Sequence, residues 1–174
     1  MYSKTFKNWF GDWQQDDKTN VSKVVDSNGE PLILHHFATA TFDTFDSKFN
    51  KGKNKGFYFG TMNQAVARNF MEQGYVPYAR YLDVFINLRN PDLTTFDNRD
   101  SNYYKSGDGL IIEVNEEDAK ELASFADALE NWKDFTREWV VKNPNQIKSI
   151  DNRGTFSTID NNIYNRKYDS NNRI

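Results

Sequence analysis

Arg137-Glu138-Trp139-Val140-Val141-Lys142-Asn143-Pro144-Asn145-Gln146-Ile147-Lys148-Ser149 is the stretch on which the reading of this chain turns. Trp139, Val140 and Val141 have the bulky and β-branched side chains of a buried strand. Asn143-Pro144-Asn145 then breaks or bulges that strand, because proline cannot donate to a sheet ladder. Glu138 sits at the mouth of the strand beside three apolar residues. A carboxylate buried there without a partner is costly. Taken alone, the stretch leaves two readings open: a solvated acid at a strand end, or an acid held for chemistry.

Working outward, the composition removes several classes. The 174 residues are enough for one domain with a real core. A net charge of -3 gives no whole-molecule case for nucleic-acid binding. With no cysteine, neither a disulfide framework nor a thiolate metal site is possible, and two adjacent histidines do not make a metal site of the usual kind. No apolar run is long enough for a membrane span, and Met1-Tyr2-Ser3-Lys4-Thr5 does not lead into a signal-peptide core. A soluble, cytoplasmic protein is expected. Aromatics make up 16% of the chain, a load that suits a thick core or a groove for planar ligands.

Upstream, Phe6, Trp9, Phe10 and Trp13 recur at helical spacing and predict an aromatic-faced helix over 3–16, either docking a partner or packed as a lid on the domain's own core. Gly11 inside the pattern marks a close approach or the end of a short first turn. Lys23-Val24-Val25, the Asn28-Gly29 turn and Leu32 to Phe37 read as strand, turn, strand, so that His35 and His36 face opposite sides. Phe42 and Phe45 anchor an irregular edge, and 48–55 is a basic loop that either touches phosphates or is merely solvated. Phe57-Tyr58-Phe59 is a short strand between glycines, where a flat ligand can approach the backbone. Thr61 to Gln64 is a capping box opening a helix to about Met71 that buries Val66 and Phe70. Strands are expected over Tyr81 to Ile86 and Gly109 to Val114, with a polar loop over 97–107. Asn115 caps a helix whose apolar face is Leu122, Phe125, Ala126, Leu129 and Trp132. The domain spans 1–150. Residues 151–174 form a polar tail, either strapped on by Phe156, Ile159, Ile163 and Tyr164 or disordered.

A strand with His36, a strand with Tyr58, a helix, and a late strand opening on Glu138: this order resembles the ADP-ribosyltransferases, more narrowly their His-Tyr-Glu branch, which includes diphtheria toxin and the poly(ADP-ribose) polymerases. It is most similar to the ADP-ribosyltransferase domains of phage and mobile-element polyvalent proteins. The similarity runs through Phe6 to Trp13, the Lys23 to Leu32 turn, Gly56-Phe57-Tyr58-Phe59, Asn143 to Ser149 and Gly154-Thr155-Phe156-Ser157. The resemblance implies an α+β fold of two small, mostly antiparallel sheets packed face to face, flanked by helices, with a groove for NAD between them.

By the same resemblance Glu138 is the catalytic acid, Tyr58 stacks on the nicotinamide, and His36 hydrogen-bonds a ribose hydroxyl. Phe70 supplies a second ring, although its spacing is one residue longer than the usual pattern. Relatives follow the histidine with Gly and then Ser or Thr. Here Phe37 and Ala38 stand instead, so Phe37 has only its peptide N–H and C=O to offer the carboxamide. NAD is the implied substrate and no metal is required. The acceptor is an unidentified protein, nucleic acid or small molecule, and the setting is a host-cell cytoplasm, reached by phage delivery. The alternative is a catalytically impaired fold of this kind kept as a binding module. A DNA-processing protein of another fold finds only Glu113-Val114-Asn115, without the lysine such sites carry.

Overall fold

Residues 137–149 pass through both sheets of the protein. The computed structural model describes residues 2–49, 56–74, 76–98, 107–152 and 156–164. In chain order the elements are α1 (Lys4–Phe10), β1 (Leu34–Ala38), β2 (Phe57–Phe59), α2 (Met62–Gln73), β3 (Arg80–Ile86), β4 (Asp92–Thr95), β5 (Gly109–Glu113), α3 (Glu116–Phe125), β6 (Arg137–Val141) and β7 (Ile147–Ser149). One sheet has the order β1-β3-β7 and the other β2-β6-β5-β4. All pairings are antiparallel except β4 with β5. The fold is α+β with two small sheets, as the resemblance implied.

The Asn-Pro-Asn break is the corner where the chain leaves one sheet for the other. Pro144–Gln146 forms one 3-10 turn between β6 and β7. Gln146 fills that corner: its side chain accepts from the Asn143 N–H at 2.8 Å and donates to the carbonyls of Asn87 and Asp108, each at 3.0 Å. A buried amide satisfied on both ends fixes the turn as firmly as a backbone ladder would.

Between the sheets lies the main core. Leu34, Val84, Ile86 and Ile147 from one sheet meet Phe57, Phe59, Ile111, Trp139 and Val141 from the other. Strand alternation sends Val140, Leu110 and Ile112 to the opposite face, where Tyr58 packs against them. That face, not the inter-sheet core, carries Glu138, two residues before Val140 on β6.

The aromatic helix is shorter than the expected 3–16. Ser3 caps it through the Phe6 N–H, and Gly11 ends it with φ +101°, where a Cβ would collide with the Asn20 carbonyl. Its rings face inward: Phe6, Trp9, Phe10 and Trp13 form a second core with Val21 and Phe85. Phe156 closes over Phe6 and Trp9, at ring-centroid distances of 4.9 and 5.6 Å. The lid reading therefore holds for these rings.

Several local expectations change. Lys23 to Val25 is not a full strand; only the bridge of Val25 to Pro31 pairs around the Asn28-Gly29 turn, where Gly29 has φ +79°. Strand β4 was not expected. In α2 the buried residues are Gln64, Ala65, Ala67 and Asn69, while Phe70 is 43% exposed. The apolar face expected downstream of Asn115 is cut where Asp127 takes φ 51°. Of that face Leu122, Ala126 and Trp132 pack, partly buried, against the buried Ala119, Ala123, Ala128 and Phe135, while Phe125 and Leu129 are exposed.

After β7 the chain stays attached. Ile163 is fully buried in the main core, and its backbone bonds both Ser149 and Asp43. Fully buried Lys148 donates to the carbonyls of Asp160 and Asn162 at 2.5 and 2.9 Å. Ile159, by contrast, is 92% exposed. The expected loop residues 50–55 and 99–106, with Gly154, Thr155 and the tail from 165 on, lie outside the described residues. Among the described residues no helix is long and apolar enough to cross a membrane.

Candidate active site

Among the described residues the two sheets are joined by one antiparallel bridge, His35 with Gly60. His35 donates to the Gly60 carbonyl at 2.8 Å and accepts from the Gly60 N–H at 3.2 Å. One more step of that ladder would set Phe37 opposite Tyr58 with their peptide groups paired. The strands part instead. The imidazole of His36 enters the gap and its Nδ1 meets the Tyr58 carbonyl at 2.8 Å.

That contact settles the state of His36. A carbonyl only accepts, so Nδ1 carries the proton. Burial, with the rings of Phe45 and Phe59 at 5.0 and 5.2 Å, holds the pKa down to about 4; the bond to Tyr58 opposes the shift, and the charge of Arg68 adds to it. At neutral pH the ring is therefore uncharged and its Nε2 is an acceptor.

Peptide groups along a strand point alternately to its two edges. Those of Phe37 thus face the same edge as those of His35, toward the gap, and no hydrogen bond engages them among the described residues. Its ring turns elsewhere, lying 6.4 Å from that of Tyr81, its partner on β3.

Tyr58 pairs with Val140 across β2 and β6, so the Tyr58 ring and the Glu138 side chain share one sheet face. Glu138 is only 8% exposed. Its Oε1 accepts from Nη2 of Arg68 at 3.3 Å, and among the described residues no partner engages Oε2. A buried carboxylate with one oxygen held and the other vacant is a directed acceptor.

Arg68 was not foreseen. Its guanidinium lies over the Tyr58 ring, 4.7 Å from the centroid, while it pairs with Glu138. The capping box explains its aim. Gln64 returns its Oε1 to the Thr61 N–H and donates to the Arg137 carbonyl at 2.9 Å. One helical turn onward, the same side of α2 comes to the next residue of β6, which is Glu138. The signal was present in the sequence: a fixed helix start with an arginine four residues after the box glutamine. Phe70 leaves the helix about 200° around from Arg68 and is 43% exposed, and the described group over Tyr58 is this guanidinium.

A family model, described as ADP-ribosyltransferase in polyvalent proteins, matches residues 26–156, more than half of the chain. The chain belongs to that ADP-ribosyltransferase family. No curated protein and no solved structure matches it. In this ADP-ribosyltransferase domain, the matched region holds His36, Tyr58, Arg68 and Glu138.

Proposed function

We propose that the protein uses NAD as a substrate, cleaves its nicotinamide–ribose bond, and passes ADP-ribose to an acceptor. The observation that carries this reading is the Glu138 carboxylate, buried on the sheet face of Tyr58, with one oxygen held by Arg68 and the other engaged by no partner among the described residues.

Each residue contributes what its geometry permits. Tyr58 offers a planar face for the nicotinamide, worth about 0.5–1.5 kcal/mol beyond area burial. The N–H and C=O of Phe37, open to the gap, supply a donor and an acceptor for the carboxamide, the pairing a glycine makes in relatives. Neutral His36 offers Nε2 to a ribose hydroxyl. Glu138 accepts a hydrogen bond from the ribose through Oε2. Cleavage of an N-glycosidic bond builds positive charge on the sugar, as in other glycosyl transfers. A fixed carboxylate beside that charge stabilises it more than it stabilises the bound substrate. Nicotinamide departs as a neutral molecule, so the departure itself asks for no proton donor. Phe70, on the other side of α2, is left out of this account. The acceptor is a protein side chain, a nucleic acid or a small molecule; with water in its place the outcome is NAD hydrolysis. We infer action in a host-cell cytoplasm.

A second reading has its own support. Phe37 and Ala38 replace the glycine and hydroxyl residue of relatives, and a guanidinium already covers Tyr58. The domain would then be a binding module without turnover.

Incubation with labelled NAD and a cell lysate separates the two. Label transfer or nicotinamide release by the wild type, lost in Glu138→Gln, is the expected result. Equal activity in both proteins rejects Glu138 as the catalytic acid. Neither turnover nor NAD binding in the wild type favours the binding module.

A further inference from the structure

Resting on the reading of Tyr58 and Glu138 as the nicotinamide and ribose contacts, we propose that Arg68 is a self-competitor: its guanidinium holds the nicotinamide's place and sets the affinity for NAD.

Two contacts place it there. Arg68 covers the Tyr58 ring at 4.7 Å and binds the Glu138 carboxylate at 3.3 Å. A guanidinium is a flat cation. The nicotinamide of oxidised NAD is also a flat cation, and the attraction of an aromatic face for such groups is what both exploit. Tyr58 packs against the cluster of Leu110, Ile112 and Val140, and the guanidinium lies over its ring. Two flat cations do not occupy one ring face at once. For nicotinamide to stack, the guanidinium must leave.

Its contact with the carboxylate is of a kind that can be undone. The Glu138 contact is single and long, through Nη2 alone, where a firm arginine–carboxylate pair is two-pronged. The Arg68 side chain is 30% exposed, so water is at hand when it swings away. Glu138, at 10% side-chain exposure, has no such freedom. Movement therefore falls to the arginine, and the carboxylate stays where the sheet puts it. In the free protein the same pairing keeps a buried acid from standing alone, which is costly.

The test compares wild type, Arg68→Gln and Arg68→Lys as full chains, with folding checked by circular dichroism. NAD affinity is read by titration calorimetry, and kcat and KM by nicotinamide release. Glutamine keeps a hydrogen-bond donor for Glu138 but removes the stacked cation. NAD should bind Arg68→Gln about two- to thirtyfold more tightly, the range expected from a lost cation–π contact. KM should fall in step with the tighter binding, while any change in kcat reports the separate loss of the Arg68 contact to Glu138. Lysine, charged but not planar, should lie between the two, and it carries the test if glutamine does not fold. Free nicotinamide, as a second probe, should show the same order. Unchanged or weaker binding with a collapsed kcat overturns the proposal and makes Arg68 a positioning residue for Glu138. If no folded variant, wild type included, binds NAD, the proposal falls together with the reading of the site on which it rests.

Discussion

The strand-borne and helix-borne halves of the site behave differently as sequence. On the strands, Tyr58 and Glu138 come from separate segments, yet pairing of Tyr58 with Val140 puts both on one face. A step of two along a strand returns to the same side, so an alternating pattern names its side chains without further knowledge. On α2 a step of two turns about 200° around the axis. Arg68 and Phe70, two apart, therefore leave on opposite sides; the first reaches Tyr58 and the second is 43% exposed. Aromatic character pointed to Phe70. Helical phase, fixed by Gln64, selects Arg68.

The largest effect expected from breaking this comparison lies on the strand. Glu138→Gln keeps the shape and a hydrogen bond to Arg68 but removes the charge. Loss of one preorganised electrostatic group of this kind costs about 10²–10³ in kcat. Thermal unfolding should shift little, because glutamine is isosteric and the pair it replaces is single and long. A large drop in stability with kcat retained would mean that the acid serves the fold rather than the reaction. Single-turnover nicotinamide release, with melting followed by circular dichroism, separates the outcomes.

That asymmetry accounts for what was legible beforehand. Trp139, Val140 and Val141 read as buried strand because they are, and the Asn143-Pro144-Asn145 break was visible as a break. Its meaning, a transfer between sheets, was not, since it depends on Gln146 bonding Asn87 and Asp108, residues remote in sequence. The Lys23 to Val25 arm looked like strand by composition; Val24 and Asp26 do bond Leu32 and Glu30 across the turn, but the Lys23 N–H goes to Leu88, and the pairing stays at the one bridge of Val25 with Pro31. Tertiary partners decide such cases. The helix after Asn115 was read too long because its apolar spacing runs on past a backbone reversal at Asp127. At the site, His36, Tyr58 and Glu138 were legible through a resemblance in the order of motifs. Arg68 has no place in that order and needed the phase of a helix.

A middle-sized effect concerns His36, the group lodged between the halves. Its pKa falls from 6.5 to about 4 on folding, mainly through burial. The unfolded chain then binds a proton that the folded chain refuses between those two values, so stability rises with pH across that window and is lost on acidification. The span corresponds to at most about 3 kcal/mol, less any relaxation around the part-buried ring. Chemical denaturation of wild type and His36→Asn from pH 7 to 4 should give curves that converge as the pH drops. Curves parallel throughout would mean that His36 titrates normally, and the assignment of a neutral ring with an accepting Nε2 would go with it.

The smallest effect is also the sharpest for the comparison itself. Tyr58→Leu keeps apolar bulk on β2 while removing the ring face. If that face serves both the nicotinamide and Arg68, its removal weakens the ligand and its competitor together. The cost to NAD affinity should then be slight in the wild type. In the Arg68→Gln background, where only the ligand uses the ring, it should reach about two- to tenfold. Phe70→Leu should change affinity by less than about twofold in either background, as expected for a side chain away from the contact. A double-mutant cycle by calorimetry reads the coupling directly. Coupling between Tyr58 and Arg68 with none to Phe70 places the stacking surface on the strand and its regulator on the helix face fixed by Gln64. Coupling to Phe70 instead would mean that α2 turns about its axis when the ligand enters, and that the free protein presents the wrong side of the helix to the site.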